Sequence, residues 1–247
     1  MALQVEIVEV LRRSEQGATR PFICRGDDDA VYYVKGIGAG RRSQVAEWLA
    51  GCLGRRLGLP LAAFEILSVP EELIESDPAG ELNELGAGPA FGSRARDGVM
   101  ELMASQVTEV PMELQEAVVV FDWWVQNGDR LLSEQGGNPN LLWDSGREEL
   151  LVIDHNQAFA ADFDPAVFRD YHVFATAGRR VAQDQVRRRD YESRLARALA
   201  HWDDMVRKIP PEWFYADPEM TVPADFDLES MRKMVQRHER EDFWSTL

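Results

Sequence analysis

A short apolar ribbon near the middle of the chain limits the folds open to it. Leu141-Leu142-Trp143 and Glu149-Leu150-Leu151-Val152-Ile153 are two runs of strand length joined across Asp144-Ser145-Gly146-Arg147. Apolar runs flanking so short a turn read as a β-hairpin. In antiparallel strands the residue entering the first lies beside the residue leaving the second. Asn138 and Asn140 stand at the entrance and Asp154 at the exit, while Asp129 closes the preceding helix and opens the same loop. One end of the ribbon is therefore expected to gather two carboxylates and two carboxamides. Oxygen donors of this kind suit Mg²⁺, although Asn and Asp also cap turns and helix ends. Asp154 follows an apolar run and so emerges at the rim of the core, where a charge is seldom left without a partner or a metal. Its neighbour His155 is expected as a hydrogen-bonded or edge-packed imidazole rather than a catalytic group.

The N-terminal part reads as strand. Residues 3–13 and 21–25 form two strands, and Val31-Tyr32-Tyr33-Val34 forms a third that runs into Lys35. After Gly36-Ile37-Gly38-Ala39-Gly40, Ser43 is placed to cap a helix with apolar positions at Val45, Leu49, Cys52, Leu53 and Leu57. Residues 62–69 add a strand, giving β-β-β-α-β. The stretch 71–98, rich in Gly, Pro and acids, reads as a connector with room for short helices. Residues 113–127, with Trp123 and Trp124, form a buried helix, and a polar loop spans 128–139. Helical periodicity is strong at 183–207 and 227–242. The fold class is thus α+β, with an antiparallel β-rich lobe over 1–70, a connector over 71–112 and a larger helical lobe over 113–247 that carries the ribbon.

Composition narrows the function. The chain carries 43 acids against 27 Lys plus Arg, a formal net charge of -16. Such a surface repels nucleic-acid phosphate, so no direct nucleic-acid binding is expected. Arg187-Arg188-Arg189 runs at once into Asp190 and Glu192 and reads as a solvated helix face. No stretch approaches the roughly 20 apolar residues of a membrane span, and the opening MALQVEIVEV alternates like a strand rather than a secretory signal. Two cysteines, Cys24 and Cys52, make neither a disulfide framework nor a zinc site, and a reducing cytoplasm is expected. Only three of the 27 cations are lysines: Lys35, Lys208 and Lys233. A compact ammonium at the end of a strand is a different tool from a planar guanidinium, chance retention being the alternative.

These parts are those phosphoryl transfer requires. One aspartate orients the attacking hydroxyl, a second aspartate and an asparagine hold Mg²⁺ against the phosphates, and a strand lysine supports phosphate charge.

The motifs also resemble a known family. Asn127-Gly128-Asp129-Arg130, Asn138-Pro139-Asn140-Leu141-Leu142-Trp143 and Val152-Ile153-Asp154-His155 resemble the catalytic and metal-binding segments of HipA-like protein kinases. Gly17-Ala18-Thr19-Arg20-Pro21 resembles the family's phosphate-covering turn, and Val31 to Lys35 its lysine strand. Ala46-Glu47 with Arg56-Leu57-Gly58-Leu59-Pro60 resembles the helix that follows, and Phe91-Gly92-Ser93-Arg94 a segment of compact members. The likeness covers residues 3 to about 160. It implies a two-lobed protein-kinase-like fold and an ATP- and Mg²⁺-dependent kinase acting on a hydroxyl acceptor. In those terms Asp129 is the catalytic aspartate and Asp154 the principal metal ligand. Asn138 is the second metal ligand, or Asn140 if the register shifts by two. Lys35 contacts ATP phosphates with Glu47 as its ion-pair partner, and Gly17 and Thr19 cover the phosphates through backbone N–H groups.

The chain departs from the family's pattern: no Gly-x-Gly-x-x-Gly stands between the first strands, and the link between Asp and Asn is longer. Leu131 to Gly137 lengthen the link between Asp and Asn, so Asn138 falls nine positions after Asp129. That extension motivates a second reading, a nucleotide-binding pseudokinase or adaptor. A third is a dinucleotide-binding oxidoreductase, since Gly36-Ile37-Gly38-Ala39-Gly40 follows a strand and precedes a helix; its spacing lacks the usual third glycine. The acceptor, a protein or a small alcohol, is not readable from these residues, and a toxin role is not implied.

Overall fold

The computed structural model describes residues 4–15, 19–133, 136–245 and 247. By its contacts the chain divides into two compact units. The first comprises the chain up to Trp48 with Ala62–Asp97 and Lys208–Phe226, and the second Leu49–Leu61, Gly98–Arg207 and Asp227–Leu247.

The first unit is built on a five-stranded sheet. Its strands are β1 (Ile7–Arg13), β2 (Phe22–Gly26), β3 (Val31–Lys35), β4 (Phe64–Val69) and β5 (Gly88–Arg94), in the order β1-β2-β3-β5-β4. Every neighbouring pair is antiparallel. One face gathers Ile7, Phe22, Cys24, Tyr32, Val34, Leu67, Val69 and Leu85 into a buried cluster. Helix α1 (Arg41–Leu57) follows β3, and the division between the units falls within it. The helix starts two residues before Ser43. The Gly40 carbonyl accepts its first bond from Gln44 N–H at 3.2 Å. Gly40 leaves the preceding turn at φ 84, a conformation open to glycine. Ser43 therefore sits inside the first turn and does not cap it. A short helix, α2 (Glu71–Glu75), follows β4.

The segment read as a connector supplies β5, which lies between β3 and β4. Its strand character comes from its partners rather than its residues. Gly92 is opposite both Val34 and Glu65, and a Cβ on it would stand 2.1 Å from Leu67 Cδ1. Only glycine lets the Leu67 side chain cross the strand there.

The second unit is organised by α3 (Met112–Val125), preceded by the two-residue strand β6 (Met100–Glu101). From Val118 to Val125 every residue of α3 is buried. Trp123 and Trp124 each satisfy their indole N–H on a backbone carbonyl, of Phe243 at 3.0 Å and Val235 at 2.7 Å. The loop read over 128–139 holds a small hairpin, β7 (Leu131–Ser133) and β8 (Gly136–Asn138). The ribbon forms as β9 (Leu141–Asp144) and β10 (Glu149–Val152), antiparallel with Leu141 opposite Val152, and β6 extends its sheet. Helices α4 (Pro165–Tyr171), α5 (Ala175–Gln183), α6 (Gln185–Leu199), α7 (Trp202–Val206) and α8 (Leu228–Gln236) complete the unit. No helix among the described residues is long and apolar enough to cross a membrane.

Candidate active site

In the first unit, β3 delivers Lys35 into the interior. Its ammonium pairs with Glu47 Oε1, one α-helical stretch further on, and the two side chains are only 7% and 2% exposed. The backbone at Lys35 is tied to the same helix. Gln44 on the same helix donates to the Lys35 carbonyl at 2.7 Å, and Arg41 donates to Gln44 Oε1 at 2.9 Å. Thr19 is part-buried in the turn before β2. Gly17 lies outside the described residues.

The glycine loop after β3 does not form a pyrophosphate cradle. The N–H groups of Ile37 and Gly38 donate to the carbonyls of Leu85 and Glu84 at 3.2 and 2.8 Å. Those of Ala39 and Gly40 close the turn on Gly36 and Ile37. A Cβ on Gly36 would lie 2.0 Å from Leu85 O, so the glycine serves a backbone crossing. With an antiparallel sheet around it, the dinucleotide-binding reading fails on both counts.

In the second unit, α3 ends when Gln126 turns left-handed at φ 52 and Asn127 N–H returns to the Asp122 carbonyl. This sharp end leads Gly128 and Asp129 outward, and Asp129 is exposed. The added residues then leave and return as the β7–β8 hairpin. Leu131 pairs with Asn138, so the chain comes back beside the segment that follows Asp129. Gly137 makes this close return possible, since a Cβ there would meet Leu131 O at 2.3 Å. The nine-position spacing is absorbed by a hairpin and does not separate the aspartate from the asparagines.

Asp129, Asn138 and Asn140 are directly linked. Asn140 Nδ2 donates to Asp129 Oδ2 at 2.9 Å, and Asn140 N–H reaches Asn138 Oδ1 at 3.3 Å. Asn140 is buried and left-handed at φ 50, whereas Asn138 is exposed. Across the ribbon's open end, Ile153 N–H donates to the Asn140 carbonyl at 3.1 Å. Asp154 follows, half-buried and also left-handed at φ 54, with Oδ1 accepting Asn156 N–H at 3.3 Å. Both strands thus leave extended geometry at the same end of the ribbon, through residue types that adopt the left-handed region more readily than most.

A group absent from the sequence-based selection holds the parts together. Arg130 is wholly buried. Its Nε donates to Asp122 Oδ2 at 2.8 Å, and its Nη1 donates to the carbonyls of Asn140 at 2.6 Å and Ile153 at 2.9 Å. Its Nη2 reaches His155 Nδ1 at 3.1 Å and the Asp154 carbonyl at 3.4 Å. His155 is edge-on to Phe121, the packed and bonded imidazole read from the sequence. Asp122 accepts from Asn127 Nδ2 at 3.0 Å and from His172 Nε2 at 3.0 Å. Phe174 N–H donates to His172 Nδ1, which fixes the ring as the neutral Nε2–H form. Burial alone would push the Asp122 carboxyl up, but the Arg130 guanidinium and the His172 hydrogen bond hold it below the usual range. Burial pushes His172 below its ordinary value despite that same carboxylate.

The exposed donors around the ribbon end are oxygen atoms of carboxylates and amides. No group of three or more His, Cys, Asp or Glu that could hold a metal occurs among the described residues. Carboxylate and amide oxygens are donors of the type that Mg²⁺ accepts.

A family model described as HipA-like kinase matches residues 7–247. No curated protein matches the chain in sequence. Among solved structures, the crystal structure of a Helicobacter pylori proinflammatory kinase, CtkA, is similar with a TM-score of 0.49 and 10% identity, over 99% of this chain and 97% of that one. The family match runs through the C-terminal helices, well past the motifs that carried the resemblance. The chain belongs to the HipA-like kinase family.

Proposed function

We propose that this kinase moves the γ-phosphate of ATP, in the presence of Mg²⁺, to the hydroxyl of a protein serine or threonine. The observation that carries the reading is the Asn140–Asp129 hydrogen bond at 2.9 Å. It fixes an exposed carboxylate at the tip of a rigid turn, as a group that orients a hydroxyl and accepts its proton must be fixed. In this reading Asp129 is the catalytic residue and Asn140 orients it. Asp154 and Asn138 would hold Mg²⁺, Asn140 being the alternative amide ligand. Bound there, the ion would neutralise phosphate charge. Lys35 would bind ATP phosphates, with Glu47 holding its ammonium in place, and the backbone N–H groups of Gly17 and Thr19 would cover them.

Transfer of labelled phosphate tests the reading, alongside the gain in melting temperature that a ligand of the native state produces. Wild type is expected to show both with ATP and Mg²⁺. Asp129→Ala is expected to abolish incorporation and keep the thermal shift. A thermal shift with no incorporation by wild type into itself or any offered protein would favour the adaptor. Undiminished incorporation by Asp129→Ala would remove that residue from the chemistry.

A further inference from the structure

We propose that Arg130 is a positioning residue that sets the separation of the two metal-binding segments, and that Asp122 and His172 hold it in place. The inference rests on the metal roles proposed for Asp154 and Asn138. The two segments come from opposite strands of the ribbon. Beyond the last ladder pair, Leu141 opposite Val152, the chain departs from strand geometry on both sides, with φ 50 at Asn140 and φ 54 at Asp154. One backbone bond, from Ile153 N–H to the Asn140 carbonyl at 3.1 Å, still ties the two segments there. A planar guanidinium ties them a second time and carries the link on to the segment of Asp154 and His155. Its Nη1 bonds the Asn140 and Ile153 carbonyls at 2.6 and 2.9 Å, and Nη2 bonds His155 Nδ1 at 3.1 Å.

The fork geometry is what this job needs. Five N–H donors in a fixed plane can span two backbone segments at once, whereas an ammonium on a flexible stem acts at a point. The plane is itself anchored from behind, because Nε donates to Asp122 Oδ2, which also accepts from His172 Nε2. Arg130 also immediately follows Asp129. Its carbonyl accepts Val173 N–H at 3.0 Å, so the residue beside the catalytic carboxylate is bound through both backbone and side chain. Asp122, Arg130 and His172 are together positioned to fix the site from behind without touching a substrate.

Three variants test this: Arg130→Lys, the charge-free pair Asp122→Asn/Arg130→Gln, and His172→Ala. The double variant leaves no buried charge unpaired and so guards against simple misfolding. The first measurement is amide hydrogen exchange of wild type and variants without ligand. Selective loss of protection at Asn140 and Ile153, with α3 and α5 still protected, is expected. Loss spread over the whole second unit, or no loss, would overturn the proposal.

The second measurement is the gain in melting temperature with ADP alone and with ADP plus Mg²⁺. For Arg130→Lys the ADP gain is expected to persist, while the Mg²⁺ concentration giving half of the added gain rises at least about tenfold, the usual cost of losing a group behind a metal ligand. An unchanged Mg²⁺ requirement would overturn it. Should wild type itself gain nothing from nucleotide and Mg²⁺, the kinase reading and the metal-positioning claim both fall. The exchange experiment would then report only whether Arg130 clamps the ribbon.

Discussion

Asn140 and Asp129 meet side chain to side chain, Nδ2 to Oδ2 at 2.9 Å, although eleven positions and a two-stranded excursion separate them in the chain. The bond uses the donor end of the amide to hold a carboxylate, so Asn140 and Asn138 need not do the same work. Asn140→Ala is expected to lower kcat roughly tenfold, through a carboxylate no longer held in register, with the half-saturating Mg²⁺ unchanged. Asn138→Ala is expected to raise the Mg²⁺ requirement roughly tenfold or more. Steady-state kinetics across a Mg²⁺ titration separates the two, and an Mg²⁺ shift confined to Asn140→Ala would reverse the assignment.

The excursion itself is testable at Gly137. A Cβ there would stand 2.3 Å from the Leu131 carbonyl, a backbone atom that cannot swing aside. Gly137→Ala is therefore expected to push β8 off β7 and displace Asn138, raising the Mg²⁺ requirement several-fold. The displaced part is a pair of three-residue strands, so the melting temperature should move by less than about 3 °C for a loss under 1 kcal/mol. Gly146→Ala, where the nearest atom to an added Cβ is 3.4 Å away, should change neither. Equal Mg²⁺ dependence in both variants would show that the hairpin's register has no bearing on the site.

What could be read from the sequence follows from where the signal was local. Leu141–Trp143 and Glu149–Ile153 are apolar runs about a turn, and strand pairing then brings Asn140 beside Ile153, with Asp154 the next residue. The buried helix carrying Trp123 and Trp124 announced itself by its apolar run. β5 was hidden because Gly88-Pro89-Ala90-Phe91-Gly92-Ser93-Arg94 holds no β-branched residue, and it is a strand because β3 and β4 flank it. β8 was hidden by Gly136 and Gly137. Arg130 and Asp122 were missed for another reason: charged side chains read as solvated, and their burial depends on His172, fifty positions beyond Asp122. Only the interruption of an apolar helix by an aspartate hinted that Asp122 had a buried partner.

The Lys35–Glu47 pair separates stability from function. Both side chains are buried, and removing one member of such a pair strands the other charge, at a cost of about 3 kcal/mol or more. Glu47→Leu should show that loss in chemical denaturation and also raise the KM for ATP. The double variant Lys35→Met/Glu47→Leu strands no charge and is expected to recover most of the stability while transferring no phosphate. A double variant as unstable as Glu47→Leu, or as active as wild type, would refute the role given to Lys35.

The buried network also sets a pH dependence. Burial holds the His172 imidazole below its ordinary 6.5 even though Asp122 accepts its Nε2–H. In the unfolded chain this ring takes up a proton near 6.5, while in the folded protein it stays neutral to lower pH. Below 6.5 the unfolded state therefore binds more protons, and stability falls on acidification by up to about 1.4 kcal/mol per pH unit until the folded-state value is reached. Asp122, held below its ordinary 3.8, acts in the same direction but lower, its contribution being lost only as pH falls through the folded value. Denaturant unfolding at pH 7, 6 and 5 is expected to show the slope in wild type and a shallower one in His172→Gln. An equal slope in His172→Gln and wild type would mean that the ring is not kept neutral by burial.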